Sequence, residues 1–198
     1  MSIKEKIAPR SFLGVSNTAI RQQDDFYATP VKATEALLDT LNNLNINLPN
    51  LILEPSIGNG LLANVLINKG HSVIGYDIVD RGFPNTIIKD FMAVNERPEE
   101  NIAIIANYPY KYILEHTKHS LDLLRDGEYL CSLAKIQFLE TKSRRELFDE
   151  SPMKYVCVFS ERVKCLANGK ETEGSSAVCY CWYIWKKGFS GRPEILWI

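Results

Sequence analysis

Ile52-Leu53-Glu54-Pro55-Ser56-Ile57-Gly58-Asn59-Gly60 carries an apolar strand into a glycine-containing turn that opens a helix. Residues 51–54 read as a short buried strand, and 59–69 as a helix stopped by Gly70, a residue at ease in the left-handed backbone that ends helices. Another strand follows at 73–77. Strand, turn, helix and strand in that order open a parallel α/β sheet.

The remainder of the chain extends the same pattern. Upstream, the apolar spacing of Val31, Ala33, Ala36, Leu37, Leu41 and Leu44 predicts a helix with Pro30 in its first position and Thr29 as N-cap. Downstream, 86–89 and 102–106 are expected as strands, 112–125 as a helix, 128–134 as a strand and 140–148 as a charged amphipathic helix. The final third changes character. The β-branched and aromatic runs 155–159 and 177–186, with Asn168-Gly169 and Gly174-Ser175-Ser176 between them, predict an antiparallel hairpin. The expected architecture is α/β: an open, mostly parallel, seven-stranded sheet closed by that hairpin, with helices on both faces.

Composition narrows the function classes. A formal net charge of −1 argues against a strongly basic nucleic-acid coat and leaves room for a local patch. There is no apolar run long enough to span a bilayer, and residues 1–10 lack the apolar core of a secretion signal. A cytoplasmic, membrane-free protein is expected. The five cysteines form no CxxC pair, which predicts buried structural thiols and no metal site. Residues 1–24 read as a flexible arm with Lys4, Lys6, Arg10 and Arg21, and 25–198 as one domain.

In open α/β sheets, ligands settle beyond the carboxyl ends of the strands. Gly58 and Gly60 fall there, where absent Cβ atoms let a ligand approach the backbone. Asp77, at the end of the next strand, can accept from both ribose hydroxyls, with Asp80 as a rival. Asp90-Phe91 offers an acceptor for an adenine amino group and a ring to cover the base. These positions together point to a nucleoside-containing cofactor. Gly58-x-Gly60-x-x-Ala63 also satisfies the dinucleotide fingerprint, and a plain tight turn satisfies the same glycines.

Asn107-Tyr108-Pro109-Tyr110 ends the apolar strand 102–106, so it is expected at the same cleft. The lone pair of an aromatic amine is delocalised into its ring, which makes it a poor nucleophile. Accepting both its N–H bonds favours a pyramidal nitrogen. The Asn107 side-chain oxygen and the Tyr108 carbonyl can supply the two acceptors, and Tyr110 a face for stacking.

With these two motifs the chain resembles class I S-adenosylmethionine-dependent methyltransferases, particularly the adenine amino-methyltransferases of bacteria and phages. Residues 54–60 resemble the family's cofactor turn, Asp77 its ribose acid, Asp90-Phe91 its adenine contact and Phe26-Tyr27-Ala28-Thr29-Pro30 its leading segment. Asn107-Tyr108-Pro109-Tyr110 resembles the Asn/Asp-Pro-Pro-Tyr/Phe motif, with Tyr108 in the place of the first proline. Pro109 still biases Tyr108 toward extended backbone.

The resemblance implies S-adenosyl-L-methionine held by Tyr27, Thr29, Pro30, Glu54, Pro55, Ser56, Gly58, Gly60, Asp77, Ile78, Asp90, Phe91 and Asn107. It implies catalytic roles for Asn107, Tyr108, Pro109 and Tyr110. The implied substrate is adenine in DNA; adenine in RNA and a glutamine amide share the planar NH₂ group. A nucleotide-dependent oxidoreductase and a non-catalytic binding module are the readings from other classes. No separate target-recognition domain is expected, so sequence choice would fall to short loops, a homodimer or a partner. Lys135, Lys142, Arg144, Arg145, Lys164, Lys170, Lys186, Lys187 and Arg192 are candidate phosphate contacts.

Overall fold

The computed structural model describes residues 26–151, 153–167 and 178–198. The basic arm expected at 1–24, Lys170 and the two glycine turns at 168–169 and 174–176 lie outside these residues. In chain order the elements are β1 (Tyr27–Ala28), α1 (Val31–Asn43), β2 (Leu51–Glu54), α2 (Leu61–Asn68), β3 (Ser72–Asp77), β4 (Ile87–Ile88) and β5 (Ile102–Ala106). They continue as α3 (Ile113–Leu123), β6 (Tyr129–Lys135), α4 (Lys142–Glu150), β7 (Tyr155–Val158), β8 (Leu166–Ala167), β9 (Tyr180–Lys186) and β10 (Glu194–Trp197).

The main sheet has eight strands in the order β10-β7-β9-β6-β5-β2-β3-β4. Its α/β, mostly parallel character and its covering of helices on both faces are as expected; the count exceeds seven by one. The added strand is β10, which pairs parallel with β7 and so lies outside the antiparallel β7–β9 pair. Pro193 and the exposed Glu194 and Ile195 hide it in the sequence, because an edge strand lacks the continuous apolar run of a buried one. A separate antiparallel ribbon joins β1 to β8.

Strand β5 shows why the sheet must be covered twice. Ile102, Ile104 and Ala106 enter one core with residues of α3 and α4, whereas Ala103 and Ile105 enter the other with α1 and α2. All five are fully buried, which an uninterrupted apolar run demands. On the second face Trp182 donates its indole N–H to the Ala33 carbonyl at 2.8 Å, locking α1 against β9. Helix α1 begins one residue later than expected: Pro30, with φ −66° and ψ 144°, is its N-cap, and Thr29 is buried just before it.

The thiols lie inside this frame. Cys131, Cys157, Cys165 and Cys181 are buried, and only Cys179, just ahead of β9, is partly accessible. Burial pushes the Cys157 thiol up to about 12 and those of Cys165 and Cys181 to about 11. Among the described residues no His, Cys, Asp or Glu cluster could hold a metal ion, and no helix is long and apolar enough to cross a membrane.

At the amino ends of the parallel strands, Glu128 closes the structure. Its carboxylate takes both terminal nitrogens of Arg97 and the main-chain N–H groups of Ile102 at 2.9 Å and Arg125 at 2.7 Å. Burial pushes this carboxyl up, but the Arg97 guanidinium and the two N–H donors outweigh it, and the net shift is downward. Glu128→Ala removes the carboxylate from a half-buried guanidinium and leaves two main-chain N–H groups without an acceptor, so a loss of about 1–3 kcal/mol is expected in urea unfolding. Because the folded pKa lies below the unfolded one, this contribution is complete above the ordinary carboxyl range and is lost as pH falls through the folded value. Acid titration of Glu128→Gln should therefore show a shallower decline in stability than the wild type.

Candidate functional site

The order of the main sheet reverses between β2 and β5. From β2 the chain builds outward through β3 and β4, and from β5 it builds the other way through β6. The carboxyl tips of these two central strands carry the glycine turn and Asn107, and a cavity of about 670 Å³ opens between them. That size lies within the roughly 300–1,000 Å³ of small-molecule sites.

Its floor is made by the turn. Gly58 and Gly60 have φ of 58° and 76°, the left-handed region that favours glycine, and Gly60 is the N-cap of α2. The Gly58 N–H donates to Asp77 Oδ2 at 2.9 Å, and the Val79 N–H to Asp77 Oδ1 at 3.0 Å. Neither glycine lines the cavity. A Cβ on Gly58 would lie 2.5 Å from the Phe26 ring, and one on Gly60 would lie 1.9 Å from Phe83. The close approach that demands glycine here is thus made by the protein's own aromatic rings. Arg81 lies over Phe26 at 4.4 Å and reaches Asp77 Oδ2 at 3.8 Å.

Most of the other sequence-predicted residues meet at the cavity wall: Tyr27, Thr29, Glu54, Pro55, Ser56, Asp77, Ile78, Asp90, Phe91, Asn107 and Pro109. Asp80 does not line it, and neither does Pro30. Asp90 accepts the Met92 N–H at 2.9 Å, capping the short turn Phe91–Ala93. The Phe91 ring is only 1% exposed and packs on Tyr76, His116 and His119, whereas Ile78 and Met92 are open apolar surfaces at the wall.

Tyr108 and Tyr110 stand away from the cavity. Tyr108 is buried beneath α3, with its hydroxyl hydrogen-bonded to that of Ser120 and its ring against His116. Tyr110 packs on Tyr27 and donates its hydroxyl to that of Tyr180 at 3.0 Å.

Two cavity-lining residues each carry a buried oxygen without a hydrogen-bond partner: Asn107 Oδ1 and Glu54 Oε2. The Asn107 amide nitrogen donates to the Tyr27 carbonyl at 2.7 Å. A carbonyl only accepts, so this contact fixes which way the amide points. Glu54 ends β2 and is 3% exposed. Burial, reinforced by the neighbouring Asp77 carboxylate, holds its carboxyl well above the usual range, and a hydrogen bond with the Ala63 main chain offsets only part.

Sequence reasoning overlooked Arg81, Lys89, Met92, Lys111, Tyr112 and His116, all of which line the cavity. Apart from His116, each follows the carboxyl tip of β3, β4 or β5 within a few residues. That position was the available signal.

No protein-family model matches the chain, and no curated protein matches it in sequence. Solved structures do match in fold. A Listeria monocytogenes protein provisionally described as a class I S-adenosylmethionine-dependent methyltransferase aligns with a TM-score of 0.65 at 14% identity, over 88% of this chain and 66% of its own. A Pyrococcus horikoshii protein provisionally described as an RNA methyltransferase gives 0.61 at 14% identity, over 81% and 87%. The modification subunit of a type I restriction enzyme, so described provisionally, from Vibrio vulnificus gives 0.60 at 10% identity, over 91% and 48%. The chain thus has the fold of class I methyltransferases and spans about two thirds of the first of these proteins and half of the last.

Glu54 generates a stability prediction. Unfolded, it releases its proton near the ordinary carboxyl pKa of about 4.3; folded, it keeps it to higher pH. Between those values the unfolded state binds fewer protons, so wild-type stability falls as pH rises. Glu54→Gln should remove that fall. Its ligand-free melting temperature is expected to match the wild type near pH 4 and to exceed it near pH 8.

Proposed function

We propose that this protein transfers a methyl group from S-adenosyl-L-methionine to the exocyclic amino group of adenine in DNA. The observation that carries this reading is Asn107 Oδ1, a buried acceptor without a partner on a residue that lines a cavity at the reversal of the sheet order. An adenine NH₂ group supplies the donor that such an oxygen lacks. Leaving it unmatched costs about 1–3 kcal/mol.

The cavity's chemistry fits the cofactor. S-adenosyl-L-methionine supplies a methyl group on a cationic sulfonium and also carries an ammonium group, and the wall offers Glu54, Asp77 and Asp90. Glu54 would take the ammonium and ionise as it does so, matching its unpartnered oxygen. Asp77 retains lone pairs beyond those used by Gly58 and Val79, and these would take ribose hydroxyls. Ile78 and Met92 would flank the cofactor's adenine ring.

On the acceptor side, Asn107 binds and orients the amine, and catalysis is alignment with the sulfonium together with stabilisation of displaced charge. No side chain need act as a covalent nucleophile. Tyr108 serves by holding the backbone between Asn107 and Pro109; its phenol anchor on Ser120 replaces the stiffness of a proline. DNA is favoured over RNA and protein by the likeness of the leading segment, Phe26 to Pro30, to phage DNA enzymes. The Pyrococcus protein keeps RNA as the second substrate to assay.

The test is incubation with methyl-labelled cofactor and DNA, RNA or protein, followed by identification of the modified group. N6-methyladenine in DNA is expected. Asn107→Ala should lower kcat by about 10²-fold or more while leaving cofactor affinity near wild type. Asp77→Ala should weaken S-adenosylhomocysteine binding in calorimetry by about tenfold or more, because it removes the ribose acceptor and loosens the Gly58 turn.

A further inference from the structure

An acceptor base beside Asn107 needs a flat surface to lie against, a requirement that rests on the methyl-transfer reading. The motif position assigned to stacking by resemblance is Tyr110, but its ring is already covered. Lys135 Nζ lies over it at 4.5 Å, the Tyr27 ring centroid is 5.5 Å away at an interplanar angle of 31°, and Tyr180 is 6.2 Å away. Its hydroxyl is engaged by Tyr180, and it does not line the cavity.

Two residues on, Tyr112 differs in reaching the cavity and in its exposure. It lines the cavity and keeps 47% of its surface exposed. Its backbone is fixed twice: its N–H donates to the Pro109 carbonyl at 2.9 Å, and its carbonyl accepts the His116 Nδ1–H at 3.0 Å. Lys111 Nζ lies over its ring at 4.8 Å and the His116 ring stands 6.2 Å away at an interplanar angle of 34°, so part of the ring is engaged and a cation sits at the rim that the exposed part faces. A ring with a fixed root and an open surface is what base stacking uses, and an adjacent ammonium suits the phosphates on either side of a base.

We propose that Tyr112, rather than Tyr110, is the surface on which an unpaired adenine of a DNA strand stacks beside Asn107, with Lys111 meeting the strand's phosphates. The motif's stacking function has moved two residues along the chain, onto the turn that enters α3.

The test uses the full chain, S-adenosylhomocysteine and a single-stranded oligodeoxynucleotide carrying 2-aminopurine in place of one adenine. Wild-type protein is expected to quench the fluorescence on binding. Tyr112→Leu should weaken oligonucleotide binding at least about tenfold and abolish the quench, with S-adenosylhomocysteine affinity in calorimetry unchanged; Tyr112→Phe should restore both oligonucleotide signals. Unchanged quenching in Tyr112→Leu overturns the assignment. So does a parallel loss of S-adenosylhomocysteine binding, which would make Tyr112 part of the cofactor wall. Failure of S-adenosylhomocysteine to bind the wild type is a separate result that removes the methyl-transfer reading itself.

Discussion

The last three residues of β3 hold the glycine turn in place, and the cavity exists only because they do. The Tyr76 carbonyl accepts the Ile57 N–H at 2.9 Å, and the Asp77 carboxylate accepts the Gly58 N–H at 2.9 Å. Gly75 supplies the room: a Cβ there would lie 2.0 Å from Ile57 Cδ1. A left-handed backbone at Gly58 and again at Gly60 does not persist unaided, and here a neighbouring strand supports it by shape and by charge. Asp77 thereby couples the scaffold to the site, because the oxygens that would receive a ligand are the ones that shape the floor beneath it.

Across the reversal in sheet order, the tip of β5 is secured in a different way. Tyr27, drawn in by the β1–β8 ribbon, orients the Asn107 amide, while Tyr108 sends its ring down to α3. A segment from before the first helix and one from near the end of the chain therefore meet over the central strand tip. Glu54 and Asn107 are left with buried oxygens that no described residue satisfies. Unsatisfied buried polar atoms are costly to a folded chain, and the ligands proposed for this cavity would supply the missing partners.

The sheet was legible because its strands are uninterrupted apolar runs: residues 102–106 were assigned to their full length, and 51–54 likewise. Asp77 was legible as the acid ending the strand after the glycine turn, Glu54 through the likeness of that turn to a family motif, and Asn107 as the amide ending the apolar strand 102–106. What escaped notice depends on contacts distant in sequence. Phe83 filling the space above Gly60 cannot be read locally, nor can the covering of Tyr110 by Tyr27, Lys135 and Tyr180. Strand β10 escaped because an exposed edge is not patterned by burial. Tyr112 escaped because a motif draws the eye to its own letters, whereas the accessible ring stands just past them.

The distribution of thiols has a practical side. Four cysteines are sealed in the two cores, and burial keeps Cys131, Cys157, Cys165 and Cys181 in the protonated form that alkylating reagents ignore. Cys179 alone is partly open, and its carbonyl is tied to the Ile136 N–H at 2.9 Å. The native chain is thus close to a single-cysteine protein under mild maleimide treatment. A dye or spin label could be attached at the entrance to β9 without first removing the other four.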